Sequence, residues 1–211
     1  MTYQELAAAT VEHLSTLTPI LDDTVAEAIA GAEQRLHGVS HSRFPYLRPL
    51  TVRALARLRL EDMGLPDDWR VEGQSQRMGE LYVRKPGVMT LRLLKGNPLQ
   101  PNGVPHAGPN KARQQAWYQS PLPDPSLATA AGELAFLLLW GYQDPSDRTS
   151  GFTLNLAHTR QPGRFGAQVP CDLLVNIPRG GTMFERLRPF INDENVDLFA
   201  GDVEILDEAD E

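Results

Sequence analysis

Glu80-Leu81-Tyr82-Val83-Arg84-Lys85, then Pro86-Gly87, then Val88-Met89-Thr90-Leu91-Arg92-Leu93-Leu94-Lys95 is the stretch on which the fold turns. Two runs rich in β-forming residues flank a turn dipeptide, so the segment reads as a β-hairpin. Pro presets one turn dihedral and Gly supplies a positive one, which suits a type II turn. That type follows the twist of paired strands less well than the primed turns, so the connection is expected to exceed two residues.

Upstream, the apolar period is 3.6 rather than 2. Thr2-Tyr3-Gln4-Glu5 matches a capping box, Leu6, Val11, Leu14 and Leu17 continue as a stripe, and Thr18-Pro19 is expected to end that helix. A second helix is expected to open at Asp22 or Asp23, whose charge suits a positive helix N-terminus. Val25, Ala28, Ile29, Ala32 and Leu36 then recur at helical spacing, with Gly38 as the stop. A third helix is expected from about Thr51 to Met63, with Val52, Leu55, Leu58 and, less regularly, Leu60 facing inward.

Downstream, residues 96–110 hold four prolines and three glycines and read as a long surface loop. A short helix is expected over 109–118, then a Pro/Ser/Ala-rich connection over 120–132. Residues 133–143 read as a buried strand, with a buried helix from Ser126 to Tyr142 as the alternative that Gly132 and Gly141 disfavour. Asp144-Pro145-Ser146-Asp147 is a turn signal, Phe152–Ala157 alternates cleanly, and Cys171–Ile177 is a further strand. A short helix over 182–187 and an edge strand over 203–206 complete the expectation. The fold class is therefore α+β, an N-terminal helical layer packed on a mainly antiparallel β-sheet. It forms one domain over 1–192, helical over residues 1–64 and sheet-rich over residues 65–192, followed by an acidic C-terminal segment over 193–211.

The net charge of −7 conceals a segregation. Residues 1–33 hold six acidic residues and no Lys or Arg, and residues 193–211 hold nine and none. The middle carries all 20 cations against 12 acidic residues. Three readings compete: solvated acidic ends, acidic ends folded over the basic middle, or a basic middle that meets a polyanion. The first residues carry neither a basic nor an apolar leader signal, and the longest apolar run, Leu134–Trp140, is too short to span a bilayer. A single cysteine, Cys171, excludes an internal disulfide, so a cytoplasmic location without membrane attachment is expected.

Few residues carry reactive chemistry. His37 and His41 stand four apart, but Gly38 interrupts the helix that would align them, and no third metal ligand is evident. His158 ends one expected strand and Asp172 begins another, so adjacent strands would bring them together as a base and its orienter, with Ser150 or Thr159 as nucleophile. No nucleophile-elbow motif surrounds either hydroxyl, and a surface histidine is the plainer reading. Glu80 and Lys85 sit on the hairpin but lack the spacing of a metal-dependent nuclease. Gly180-Gly181 follows a strand and would present amides to an anion, yet no Lys-Ser/Thr pair accompanies it. Cys171 beside Asp172 lacks a thiolate-stabilising setting. No metal and no cofactor is expected.

Cations interleaved with aromatics remain. Arg43, Arg48, Arg53 and Arg57 lie near Phe44 and Tyr46, and Lys111 and Arg113 lie near Trp117 and Tyr118. Such interleaving fits contact with nucleic acid or another partner.

Leu91–Lys95, Gln114–Gln119, Leu122–Pro125 and Leu137–Tyr142 occur in an order that resembles small uncharacterised actinobacterial proteins accompanying helix-turn-helix/metallopeptidase regulators. The resemblance covers about 60 residues by element order. It implies a regulatory or mobile-element setting and no activity, and the metal-binding motif of the regulator partner is absent from this chain. The expected function is a non-enzymatic regulatory or interaction protein that binds a protein partner. The alternatives are a nucleic-acid-binding protein using the basic central region and a hydrolase or nuclease-type enzyme.

Overall fold

In the computed structural model, which describes residues 11–77, 79–100, 102–106, 134–159 and 169–181, the hairpin forms as its alternation demands. Strand β2 (Tyr82–Lys85) pairs antiparallel with β3 (Met89–Lys95). Lys85 faces Met89, so three residues lie between paired positions, and Gly87 takes φ 74°. Along β3 the buried residues are Met89, Leu91 and Leu93.

The remaining strands are β1 (Arg70–Glu72), β4 (Leu134–Asp144), β5 (Asp147–Thr159) and β6 (Cys171–Ile177), arranged in the order β1-β2-β3-β4-β5-β6. Every pairing is antiparallel except β3 with β4. A parallel pair needs a long crossover, and the chain makes it over 96–133. Residues 133–143 had to be a strand rather than a helix for this reason: β4 lies between β3 and β5 and is buried on both faces. Phe136, Leu138 and Trp140 join the core beneath the helices, whereas Leu137 and Leu139 pack on the opposite face with Val104, Ala157, Val169 and Cys171. A strand covered on both sides carries an unbroken apolar run.

Two long helices cover one face. Helix α1 spans Thr18–Arg35 and α2 spans Leu47–Met63. The helix boundaries correct the sequence expectation. Thr18-Pro19 opens α1 instead of ending the helix before it, because proline without an N–H is well placed in a first turn, where that N–H has no partner. Asp22 is consequently not a cap; it is 1% exposed and accepts the Gly180 amide at 2.7 Å. Helix α2 begins at Leu47, a turn earlier than expected, with Pro49 again in the first turn. Its inward stripe is Arg48, Val52, Ala56 and Leu60, spaced by four, and Leu58 is 58% exposed on the opposite side.

The loop after β3 is also not the surface excursion expected. Asn102 and Val104 are buried, and Asn102 donates to the Val169 carbonyl at 2.8 Å. Val104, Val169 and Cys171 pack on the sheet face opposite α1 and α2. Cys171 is a buried free thiol in this layer. The expected helices over 109–118 and 182–187, the capping box at residues 2–5, the strand over 203–206 and the acidic segment 193–211 lie outside the described residues. Among the described residues no helix is long and apolar enough to cross a membrane.

Candidate functional site

Most of the arginines singled out in the sequence are occupied within the fold. Arg48 is 4% exposed; its Nε donates to Glu33 at 3.1 Å and 3.2 Å, and its other nitrogens donate to the carbonyls of Val39 and Leu36. Arg57 Nε meets Glu61 at 2.7 Å, and its Nη1 donates to the carbonyls of Gly73 and Glu80, both at 3.1 Å. One arginine ties α2 to α1 and the other ties α2 to the start of the sheet, so they do not share a surface. Arg53 is half-buried on α2. Arg43 is exposed, with its guanidinium 5.4 Å from the Phe44 ring centroid. Lys111, Arg113, Trp117 and Tyr118 lie outside the described residues.

His158 is 1% exposed, a correction to the surface histidine expected, and its ring lies 5.3 Å from that of Phe136. It sits on the helix-covered face because Leu154, Leu156 and His158 share one side of β5. Asp172 is on the neighbouring strand, where a bulge between His158 and Thr159 shifts the register; its side chain lies outside what is described. Ser150 donates to the Asp147 carbonyl at 2.6 Å and accepts the Asp144 amide at 2.8 Å, so it holds a turn together. Thr159 is buried. The Gly180 amide, weighed as an anion donor against the plain turn that the sequence favoured, donates to Asp22. Among the described residues no three His, Cys, Asp or Glu side chains gather as a metal site. Helix α1 ends at Arg35, so His37 and His41 lie beyond it and share no helical face.

A different set of residues converges, and its origin is a difference in strand length. Strand β3 stops at Lys95, paired with Trp140, and the Gly96 amide makes the last bond to the Trp140 carbonyl at 2.7 Å. Strand β4 runs on to Asp144, partnered there, among the described residues, only by β5. Beside this free edge lies a cleft of about 390 Å³. Lys95, Trp140, Gly141, Tyr142 and Thr153 line its strand walls, Asn97, Pro98 and Leu99 form its loop wall, and His41 and Pro145 close it from the flanks. The β4–β5 turn is rigidly built: Asp144 Oδ1 accepts the Ser146 amide at 2.8 Å, and Asp147 Oδ1 accepts the Thr149 amide at 2.8 Å. Hydrogen bonds from the side chains and amides of Ser146 and Thr149 hold both carboxyls below the usual aspartate range.

Charge in the cleft is unbalanced. Glu33 reaches over from α1; the Tyr142 hydroxyl donates to it at 2.5 Å, Arg48 binds it, and Arg148 Nη1 stands 3.9 Å away. Burial works to raise the Glu33 carboxyl, but the Tyr142 bond and the two arginines outweigh it, so Glu33 titrates below the ordinary glutamate value. Burial, then the Glu33 bond and charge, push the Tyr142 phenol far above its ordinary range. Tyr142 is therefore a fixed donor rather than a titrating group.

Lys95 has no such partner. Its Nζ lies 5.8 Å from the Trp140 ring centroid and 5.4 Å from that of Tyr142, two rings packed edge to face. Cation–π attraction steadies the ammonium there without neutralising it. Burial lowers the Lys95 pKa, and Arg148 and Arg48 push it the same way against Glu33. His41 is lowered by burial and by the cations Lys95, Arg148 and Arg48. Two buried nitrogens of cleft residues, His41 Nδ1 and Trp140 Nε1, lack a hydrogen-bond partner among the described residues. Buried donors and acceptors without partners are uncommon in folded proteins.

Sequence reading missed Glu33, Lys95, Trp140, Tyr142 and Arg148 as a set. Tyr142 and Glu33 lie 109 residues apart, and no local spacing announces their meeting. The one available signal was the paired turn aspartates, which fix where β4 reverses. Comparison of the chain with protein-family models, with curated proteins and with solved structures finds no match.

Proposed function

We propose that the chain is a non-enzymatic interaction protein, regulatory in setting, that takes a protein partner in the cleft at the end of β3. The observation that carries this reading is the free edge of β4 beyond Trp140. Main-chain donors and acceptors along such an edge accept an added strand from another chain, and neighbouring pockets then sort its alternate side chains. The cleft supplies those pockets through Pro98 and Leu99 on its loop side and Tyr142 on its strand side. The side chains weighed as nucleophile or base stand elsewhere: His158 is packed on Phe136, and Ser150 is taken up in a turn.

Nucleic-acid binding through residues 43–57 has less support. Two of its four arginines are engaged by carboxylates and carbonyls of the chain itself. Arg43, the exposed one of the four, does not by itself form the row of cations that a phosphate backbone requires.

Gly141 provides the test. A Cβ added there meets Thr153 Oγ1 at 3.7 Å as its nearest neighbour, which is ordinary contact, and the backbone needs no positive φ. Gly141→Leu should fill the cleft while leaving the melting temperature within a few degrees of wild type. In a pull-down from native lysate, a discrete partner retained by the wild-type chain should be lost with this variant. Retention of the same partner by Gly141→Leu, or turnover of a substrate by the purified protein alone, would end the proposal.

A further inference from the structure

We infer that the occupant of this cleft is an acidic extended segment of the partner, whose Asp or Glu carboxylate lies against Lys95 and Arg148. This rests on the reading of the cleft as a partner site and adds the chemistry by which the partner is chosen. Three observations carry it.

The first is the charge count. Arg48, Lys95 and Arg148 bear on one another and on a single carboxylate, Glu33. Arg48 is used in full, because Glu33 and the carbonyls of Leu36 and Val39 take its nitrogens. Among the described residues Arg148 is held only at 3.9 Å, and the Lys95 ammonium makes no hydrogen bond or ion pair. Two cations beside one cleft therefore have capacity for a second carboxylate.

The second is where that capacity sits. Lys95 is the last residue of β3, directly across from Trp140, at the point where the β4 edge becomes free. A strand added along Gly141 and Tyr142 would continue the line of β3 and would begin beside the Lys95 ammonium. Its main chain would pair with β4 as its acidic side chain met the cations.

The third is the chemistry of the donors. Lys95 and His41 line the cleft, and His41 Nδ1 has no hydrogen-bond partner among the described residues. An ammonium is a donor with no accepting capacity and matches a ligand rich in oxygen. An extended peptide suits the site better than a nucleic acid. Glu33, bonded to the cleft residue Tyr142, repels consecutive phosphates, whereas a peptide can place one acidic side chain at Lys95 and apolar ones against Leu99 and Pro98.

Panning a phage-displayed library of random dodecapeptides against the full chain tests this directly. The sequences enriched should hold acidic residues alternating with apolar ones. A synthetic peptide from that pool should bind at least tenfold more weakly to Lys95→Gln, and to Arg148→Gln, than to wild type, and Gly141→Leu should abolish binding. Lys95→Arg, which keeps the charge, should restore most of the affinity. If the enriched peptides are neutral or basic and still lost with Gly141→Leu, the acidic specificity fails while the partner cleft stands. If no enriched peptide depends on Gly141, both readings fail. Lys95-dependent binding of a single-stranded oligonucleotide, without any peptide, would also overturn the inference.

Discussion

Glu33 is the residue on which the cleft's internal order depends. It accepts from Tyr142, pairs with Arg48 and faces Arg148, so one carboxylate orients three side chains from α2, β4 and β5. Removing the charged partner of a buried arginine is costly because the guanidinium cannot shed its proton. Glu33→Gln should therefore destabilise the fold by about 3 kcal/mol in urea unfolding, the low end for a buried pair because Glu33 is partly exposed. The pH dependence has a fixed sign. The folded Glu33 pKa is depressed, so its stabilisation is complete above the ordinary glutamate value and disappears as pH falls through the depressed one. The wild-type acid limb should flatten in Glu33→Gln; identical acid limbs would show that Glu33 is not the group responsible. None of this was visible residue by residue in the sequence, where Glu33 is one of six acids in an acidic stretch. Long-range pairing made it a hub, and pairing between elements 109 residues apart leaves no local pattern.

Glycines test the backbone at the same scale. Gly87 takes φ 74° with nothing within 4 Å of an added Cβ, and Gly181 takes φ 64° with a Cβ only 2.3 Å from Pro19 N. Gly87→Ala should cost about 1–2 kcal/mol, the ordinary cost of a left-handed alanine. Gly181→Ala should cost distinctly more, because the atoms it would strike are backbone and cannot swing aside. Similar melting temperatures for the two variants would contradict the close approach of the chain after β6 to α1.

At the scale of elements, periodicity carried the reading well where it was strong and misled where two spacings overlapped. The hairpin was legible because alternation has one structural solution at that length, whereas the apolar run before Asp144 fits a buried helix as well and only Gly132 and Gly141 tipped the reading to the strand that forms. In α2 the inward stripe read in the sequence holds at Val52, Leu55 and Leu60 and fails at Leu58, which is exposed, while Arg48 and Ala56 complete a spacing of four. Arg48 reaches Glu33 on α1, which fixes the rotation of the helix. Leu58→Lys should accordingly change stability by less than about 0.5 kcal/mol, as surface substitutions do. Ala56→Lys should unfold the protein or cost several kcal/mol, because Ala56 is fully buried and a lysine there has neither space nor a partner. Thermal melts of the two variants separate this stripe from the one read in the sequence. Parallel pairing of β3 with β4 was not legible at all, since a crossover over 96–133 separates the two strands.

At the scale of the molecule, the helical layer and the sheet are joined by apolar packing along their length and by a polar clamp at one end. The clamp lies where the chain leaves β6. Asp22 accepts the Gly180 amide at 2.7 Å, and Thr18 Oγ1 donates to the Gly181 carbonyl at 2.8 Å. Arg179 contributes less, since it is 57% exposed and 3.6 Å from Asp22. Its guanidinium lies 3.9 Å from the Phe152 ring centroid, which ties the same stretch of chain to β5. Because the clamp is two hydrogen bonds, one buried and one half-buried, between layers far apart in sequence, its loss should lower global stability without opening the cleft. Asp22→Ala removes the carboxylate that accepts the Gly180 amide and should cost about 1.5 kcal/mol, the low end for a hydrogen bond to a charged group because Gly180 is open to water. Asp22→Asn keeps an accepting oxygen in the same place and should recover at least half of that loss. The ratio of the two, read from denaturant midpoints at unchanged slope, separates a hydrogen bond from a simple charge effect. If Asn behaves like Ala, the Arg179 ion pair is the stabilising contact and the amide bond is not. If neither variant shifts the midpoint, apolar packing alone unites helices and sheet, and the buried aspartate has no part in holding the two layers together.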